Sequence, residues 1–253
     1  MMSSVASDSS FAAWFADRVA SMRGVEAVAL GGSRASGTAT DSSDWDFSLY
    51  YRERFDADEV RKLAFDGVVF DVGGWGGGVM NGGAWLTIDG RRVDLHYRDL
   101  NDVEHWWREA QAGRYRKEFL AFYVAGIPTY TVVAELGINS VLIGDLPCPA
   151  YPDALATSAA RRWREDALMS VGYARAGLTS RGDVTVAVAN GSRALIELAH
   201  ARAAQDRRWV TNEKGLVVGS GLGDLAEALA YAGDASALSD ALQAIEQAAA
   251  APA

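Results

Sequence analysis

A single cysteine, Cys148, in 253 residues excludes an internal disulfide framework and any CxxC metal site. Only three histidines occur, His96, His105 and His200, and their spacing matches no zinc or transition-metal pattern. No apolar run approaches the ~18 residues that a membrane span needs, which excludes a membrane-spanning helix. The stretch from Met1 to Ser10 lacks the basic start and apolar centre of a signal peptide, so a cytoplasmic protein is expected. Lysine is nearly missing as well. Lys62, Lys117 and Lys214 stand against 21 arginines, a bias that makes each remaining lysine conspicuous. The net charge of −9 disfavours nucleic acid, whose phosphates are gripped by basic surfaces. It suits a small cationic partner, which an acidic cleft attracts and concentrates.

What is present is an ordinary globular composition, 49% hydrophobic and 23% charged, long enough to bury a full core. Phe11, Trp14, Phe15 and Val19 recur at helical spacing, predicting a helix over 11–23. Val25 to Leu30 reads as a buried strand, and Asp44 to Tyr51 as a second strand after a polar connection. A charged helix is expected over 57–64. Seven glycines between Gly73 and Gly83 require a loop, with Trp75 placed to stack on a ligand or to lie idle. Trp85 to Ile88 and Arg91 to Tyr97 form a hairpin about Asp89-Gly90. Helices are predicted over 103–112, 115–125 and 135–142. After the proline-bearing stretch Leu146 to Pro152 come long Ala-rich helices, near 153–177, 183–205, 222–232 and 235–250. The expected class is α+β: an N-terminal mixed sheet flanked by helices over 1–146, then an α-helical bundle over 147–253.

The chemistry-bearing pattern lies on the two predicted strands. Side chains alternate along a strand, so Trp45, Phe47 and Leu49 face the core while Asp44, Asp46 and Ser48 face away. Asp44 and Asp46 then stand ~7 Å apart at their Cα atoms. Cations relieve repulsion between carboxylates held so close. By the same parity Asp94 and His96 share the outer face of their strand, opposite Val93, Leu95 and Tyr97. Hard oxygen ligands in this number suit Mg²⁺. Asp is depleted in strands, so three on one face ask for a reason. Ahead of them Leu30 leads into Gly31-Gly32-Ser33. Glycines let backbone amides approach a phosphate, and Ser33 adds a hydroxyl donor. No GK[ST] follows, so this is not a Walker motif.

Gly32-Ser33, ten intervening residues, Asp44-Trp45-Asp46-Phe47 and a later strand aspartate, Asp94, resemble the DNA polymerase β-type nucleotidyltransferase superfamily over roughly residues 25–100. With its helical second half, the chain is similar to the aminoglycoside nucleotidyltransferases and related antibiotic-modifying enzymes. That resemblance implies two Mg²⁺ ions held by Asp44, Asp46 and Asp94. It implies phosphate contacts from Gly32, Ser33 and Ser43, and a triphosphate-binding Lys214 assisted by Arg193 in Asn190-Gly191-Ser192-Arg193 and Trp209 to Lys214. The implied reaction is attack of a substrate hydroxyl on the α-phosphorus of ATP or another nucleoside triphosphate, releasing pyrophosphate. Asp94 would complete the metal shell or take the proton. Glu104, Glu118, Glu135 and His96 are the other candidate bases.

A small-molecule acceptor, cationic and sugar-like, is the leading expectation, with a role in antibiotic resistance implied by the resemblance alone. Two alternatives stand beside it: nucleotidylation of a protein or tRNA, and a catalytically silent nucleotide-binding regulator.

Overall fold

The computed structural model describes residues 8–251; most of the polar N-terminal stretch read above lies outside them. No helix among the described residues is long and apolar enough to cross a membrane. The chain folds into two compact units. One holds the described residues up to Arg108 together with Val132–Ala150, and the other holds Glu109–Thr131 and the chain from Tyr151 on. The class is α+β.

The first unit is built on strands β1 (Val25–Leu30), β2 (Trp45–Tyr51), β3 (Asp66–Val69), β4 (Gly83–Ile88), β5 (Arg91–Asp99) and β8 (Ser140–Ile143). They form a mixed sheet in the order β3-β4-β5-β2-β1-β8. β2 and β5 run parallel, and the other neighbours are antiparallel. One face of this sheet is the core. Trp45, Phe47 and Leu49 of β2 align with Val93, Leu95 and Tyr97 of β5, and all six are buried. Helix α1 (Asp8–Ala20) lays Phe11, Phe15 and Val19 into the same cluster. Each large apolar side chain buried there contributes ~1.5–3 kcal/mol. The β4–β5 turn has positive φ at both Asp89 and Gly90, the backbone of a two-residue type I′ hairpin.

The rest of this unit comprises α2 (Gly32–Ala35), α3 (Asp58–Arg61), α4 (Leu100–Gln111), which runs past Arg108, and α5 (Thr131–Ile138). Two edge strands, β3 and β8, lie where no strand is expected from the sequence. Three exposed positions, Gly67 among them, leave β3 without an apolar alternation, and β8 follows α5 where a helix over 135–142 is predicted.

The second unit packs α6 (Asp153–Arg181) and α7 (Val184–Gln205) along one another, with α8 (Leu216–Gly219), α9 (Gly223–Ala230) and α10 (Ala235–Ala250). The helix predicted over 115–125 is absent. Strands β6 (Lys117–Glu118) and β7 (Ile127–Pro128) pair instead, antiparallel, with Gly126 at φ 88. The Glu213 carboxylate accepts the amides of Val124 and Ala125, bonds that a helix through these residues would compete for.

Candidate active site

The outer face of the sheet carries the predicted residues, in rows set by strand register. Asp46 is the direct partner of Asp94 across β2–β5. Asp94 is in turn the partner of Trp85 on β4, and Trp85 of Val68 on β3. On the other side, the Gly31 amide donates to the Asp46 carbonyl at 2.7 Å, so the Gly31-Gly32 turn continues the same row. Strands in a sheet lie ~4.8 Å apart. The row therefore runs Gly31, Asp46, Asp94, Trp85, Val68 in neighbouring positions, with Gly32 set against the Asp46 carboxylate. Asp46 and Asp94 are half-buried, while Trp85 and Val68 are exposed.

Gly32 is shaped to Asp46. Its φ is +59°, and a Cβ built on it would fall 1.9 Å from Asp46 Oδ2. Any side chain at 32 therefore displaces the carboxylate as well as straining the turn. Ser33 follows on the single turn α2. Ser43 braces its own loop, since its Oγ accepts the Thr40 amide at 2.9 Å. Asp44 lies one residue before β2. Arg34, which sequence reasoning missed, holds this approach in place. Its guanidinium donates to the carbonyls of Ser43 (2.9 Å) and Asp44 (3.2 Å) and lies 3.9 Å over the Trp45 ring. Arg92, also missed, brings Nε to 2.5 Å from Asp44 Oδ1. That contact is an ion pair by distance, without the angle of a hydrogen bond.

A cleft of about 180 Å³ opens beside these groups, lined by Asp44, Trp85, Leu86, Thr87, Arg92 and Asp94. Further along the same face His96 is half-buried. Desolvation by burial, then the Arg98 charge, lowers its pKa to about 4, with Glu135 opposing. It is therefore neutral at pH 7.

Among the remaining candidate bases, Glu135 is buried and bonds the Arg98 guanidinium through both oxygens at 2.6 Å. Glu104 is exposed and pairs with Arg52 at 2.8 Å. Each is committed to an arginine, a structural use. Glu118, Arg193 and Lys214 belong to the second unit. Glu118 is on β6. Arg193, on α7, donates from Nε to the buried Glu197 at 3.0 Å and lies over the Phe119 ring. Lys214 is exposed in the turn before α8, its amide bonded to Asn212.

Whether a metal fits can be judged from the donors. Among the described residues, no group of three or more His, Cys, Asp or Glu side chains is arranged to hold an ion. Asp46 and Asp94 nevertheless stand at facing register positions, with Gly32 leaving room for Asp46 Oδ2. Two hard oxygen donors fit a divalent cation that completes its shell with water and phosphate oxygens.

Residues 12–74 match the family model described as a nucleotidyltransferase domain. The chain carries an N-terminal nucleotidyltransferase domain. The matched segment holds most of α1, β1, the Gly32-Ser33 turn, Asp44 and Asp46, and ends before Asp94. No curated protein matches the chain. Transfer of a nucleoside monophosphate from a nucleoside triphosphate is the chemistry this domain supports.

Proposed function

We propose that the protein is a Mg²⁺-dependent nucleotidyltransferase that moves a nucleoside monophosphate, AMP from ATP, to a hydroxyl of a small molecule and releases pyrophosphate. The observation that carries this reading is the facing pair Asp46 and Asp94 on one sheet face, with Gly32 of the adjoining turn set against the Asp46 carboxylate. A phosphate-approaching turn and two hard-oxygen donors stand there as neighbours.

In this reading the Gly32-Ser33 turn binds the leaving phosphates, with backbone amides and the Ser33 hydroxyl as donors. Asp46 and Asp94 would hold the metal, joined by Asp44 if it leaves its ion pair with Arg92. Two ions bound there would neutralise phosphate charge and lower the pKa of the attacking hydroxyl. Asp94 takes the hydroxyl's proton. Its carboxylate stands between Asp46 and the open cleft, where an incoming acceptor must pass. Arg34 fixes the Ser43–Asp44 backbone and so the direction from which Asp44 enters the site. Lys214 and Arg193 are proposed triphosphate contacts, as the resemblance implies. Arg193 must exchange its bond to Glu197 for that role, whereas Lys214 is exposed.

The small-molecule acceptor is supported by the net charge of −9 and by the modest size of the cleft. Whether that acceptor is an antibiotic rests on resemblance alone. The test is Mg²⁺-dependent pyrophosphate release with ATP and a panel of hydroxylated acceptors. Release by the wild type and its loss in Asp46→Asn are expected; equal release by both proteins would overturn the reading.

A further inference from the structure

We propose that Arg92 is a triphosphate-binding residue held in reserve on Asp44, so that a divalent ion reaches Asp44 readily only in company with phosphate. This inference rests on the transferase reading and adds to it how metal and nucleotide depend on one another.

Two guanidiniums grip the approach to β2, taking three successive carbonyls between them. Arg34 donates to those of Ser43 and Asp44, and Arg92 Nη2 donates to that of Ser42 at 3.0 Å. Their hold differs. The Arg34 side chain is 12% exposed. Besides the two carbonyls it bonds the Asp8 carboxylate at 2.8 Å and lies over the Trp45 ring, so Nε, Nη1 and Nη2 are all engaged. The Arg92 side chain is 68% exposed. Among the described residues, one exposed hydrogen bond to Ser42 and one ion pair with Asp44 hold its guanidinium. Arg34 is built in, whereas Arg92 can leave.

Asp44 explains why a cation stands there. Its Oδ1 is out of solvent and accepts no hydrogen bond among the described residues. A carboxylate oxygen so placed is costly unless a positive charge is near. Arg92 Nε, at 2.5 Å, is that charge. Asp46 and Asp94 face one another in register close by, and they add to the negative field that the guanidinium offsets.

A guanidinium and a divalent ion compete for the same carboxylate. An ion arriving alone must displace Arg92, and it leaves that side chain beside a new positive charge without a partner. An ion that carries a triphosphate supplies the partner, because phosphate oxygens on a metal at Asp44 come within reach of a side chain that was paired with Asp44. The guanidinium fork matches phosphate oxygens, and such charge-assisted bonds are stronger than neutral ones. The exchange therefore costs a bare ion more than a metal–nucleotide complex. By linkage, the factor that nucleotide adds to metal affinity is the factor that metal adds to nucleotide affinity. Arg92 borders the cleft with Asp44, Asp94 and Thr87, so its arm stays at the site after it lets go. Arg34, engaged through all three nitrogens, keeps the Ser43–Asp44 backbone fixed during the exchange.

The test reads binding rather than turnover. Mn²⁺ stands in for Mg²⁺ in electron paramagnetic resonance titrations of the full chain. The analogue α,β-methylene-ATP, whose bridging carbon blocks pyrophosphate release, is titrated by calorimetry at saturating Mn²⁺. Arg92→Gln is expected to bind Mn²⁺ alone at least fivefold more tightly than wild type, ~1 kcal/mol, the upper end of what exposed ion pairs contribute. The same variant should bind the analogue at least fivefold more weakly. Arg91→Gln removes the same charge one residue away, on the other face of β5, where Arg91 lies over the Phe11 ring. It should stay within twofold of wild type in both titrations. Mn²⁺ affinity in Arg92→Gln no higher than in wild type would overturn the proposal and leave the transferase reading standing. Undiminished analogue binding in that variant, or equal shifts in Arg91→Gln, would overturn it as well. If wild type and Arg92→Gln alike bind neither probe, the transferase reading itself fails and the proposal fails with it.

Discussion

The two ends of one sheet face use the same residue types in opposite ways. At one end Asp46, Asp94 and Trp85 occupy neighbouring positions beside a cleft. Four residues further along β5, Arg98 is sealed with Glu135, next to the buried Tyr50. Tyr50 is so desolvated, with Glu135 adding to the effect, that its pKa rises far above the usual phenol range. α5 supplies Glu135 at that end and closes it. Charge at the closed end holds the fold, since each buried ion needs its partner there. Charge at the open end borders a space that a ligand can enter. The second unit repeats the closed arrangement with Lys117, which bonds Asp166 at 2.6 Å and lies over the Trp163 ring. A carboxylate thus shows its use by what surrounds it, rather than by its strand or parity.

The contrast can be broken most forcefully at the closed end. Glu135→Ala strands the Arg98 guanidinium in a buried site, and a loss of ~3–5 kcal/mol is expected, read as a lower urea midpoint. A loss under ~1 kcal/mol would mean that the pair is solvated and the two ends are alike. Gly32→Ala comes next and acts at the open end. The φ of +59° and the collision with Asp46 Oδ2 should cost ~1–2 kcal/mol of stability. Pyrophosphate release should fall much further, at least 30-fold, because the added Cβ displaces the carboxylate itself.

An effect that is absent at neutral pH probes a buried group of the second unit. His200 is buried and stacks on Trp163 at 4.3 Å. Burial, then the charges of Lys117 and Arg208, lowers its pKa to about 3. Above the unfolded value near 6.5 neither state binds the proton, so folding carries no penalty. Below it the unfolded chain protonates while the folded chain does not, and stability falls as pH falls towards 3, by ~1.4 kcal/mol per pH unit. His200→Phe keeps an aromatic ring on Trp163 and should flatten this acid limb in melts between pH 6 and pH 4. An unchanged limb would show that other groups set it.

Much of this arrangement is legible in the residues. Alternation places Trp45, Phe47, Leu49, Val93, Leu95 and Tyr97 inward, and they are buried. The Asp89-Gly90 hairpin and the long helices of the second unit follow their local signals. Parity alone puts Asp46 and Asp94 on outer faces, but only the parallel β2–β5 register makes them neighbours. That pairing joins distant segments and leaves no local trace. Arg34 and Arg92 give no local signal either, because their roles are contacts with residues 9 to 50 positions away. Trp85 reads only as part of a strand, since exposure cannot be seen in a single β-propensity. The 115–125 segment misleads for a comparable reason. Its composition suits a helix, but Glu213, far along the chain, binds its amides in another shape.

The most direct test of the contrast measures two quantities on two variants: melting temperature and Mg²⁺-dependent pyrophosphate release for Asp46→Asn and Glu135→Ala. A crossing is expected. Asp46→Asn should keep its melting temperature and lose at least 100-fold in release, ~2.7 kcal/mol of barrier. Glu135→Ala should melt well below wild type, yet release pyrophosphate near the wild-type rate per folded molecule. If Asp46→Asn instead loses stability while its release persists, the exposed end of the sheet is structural and the central claim is contradicted.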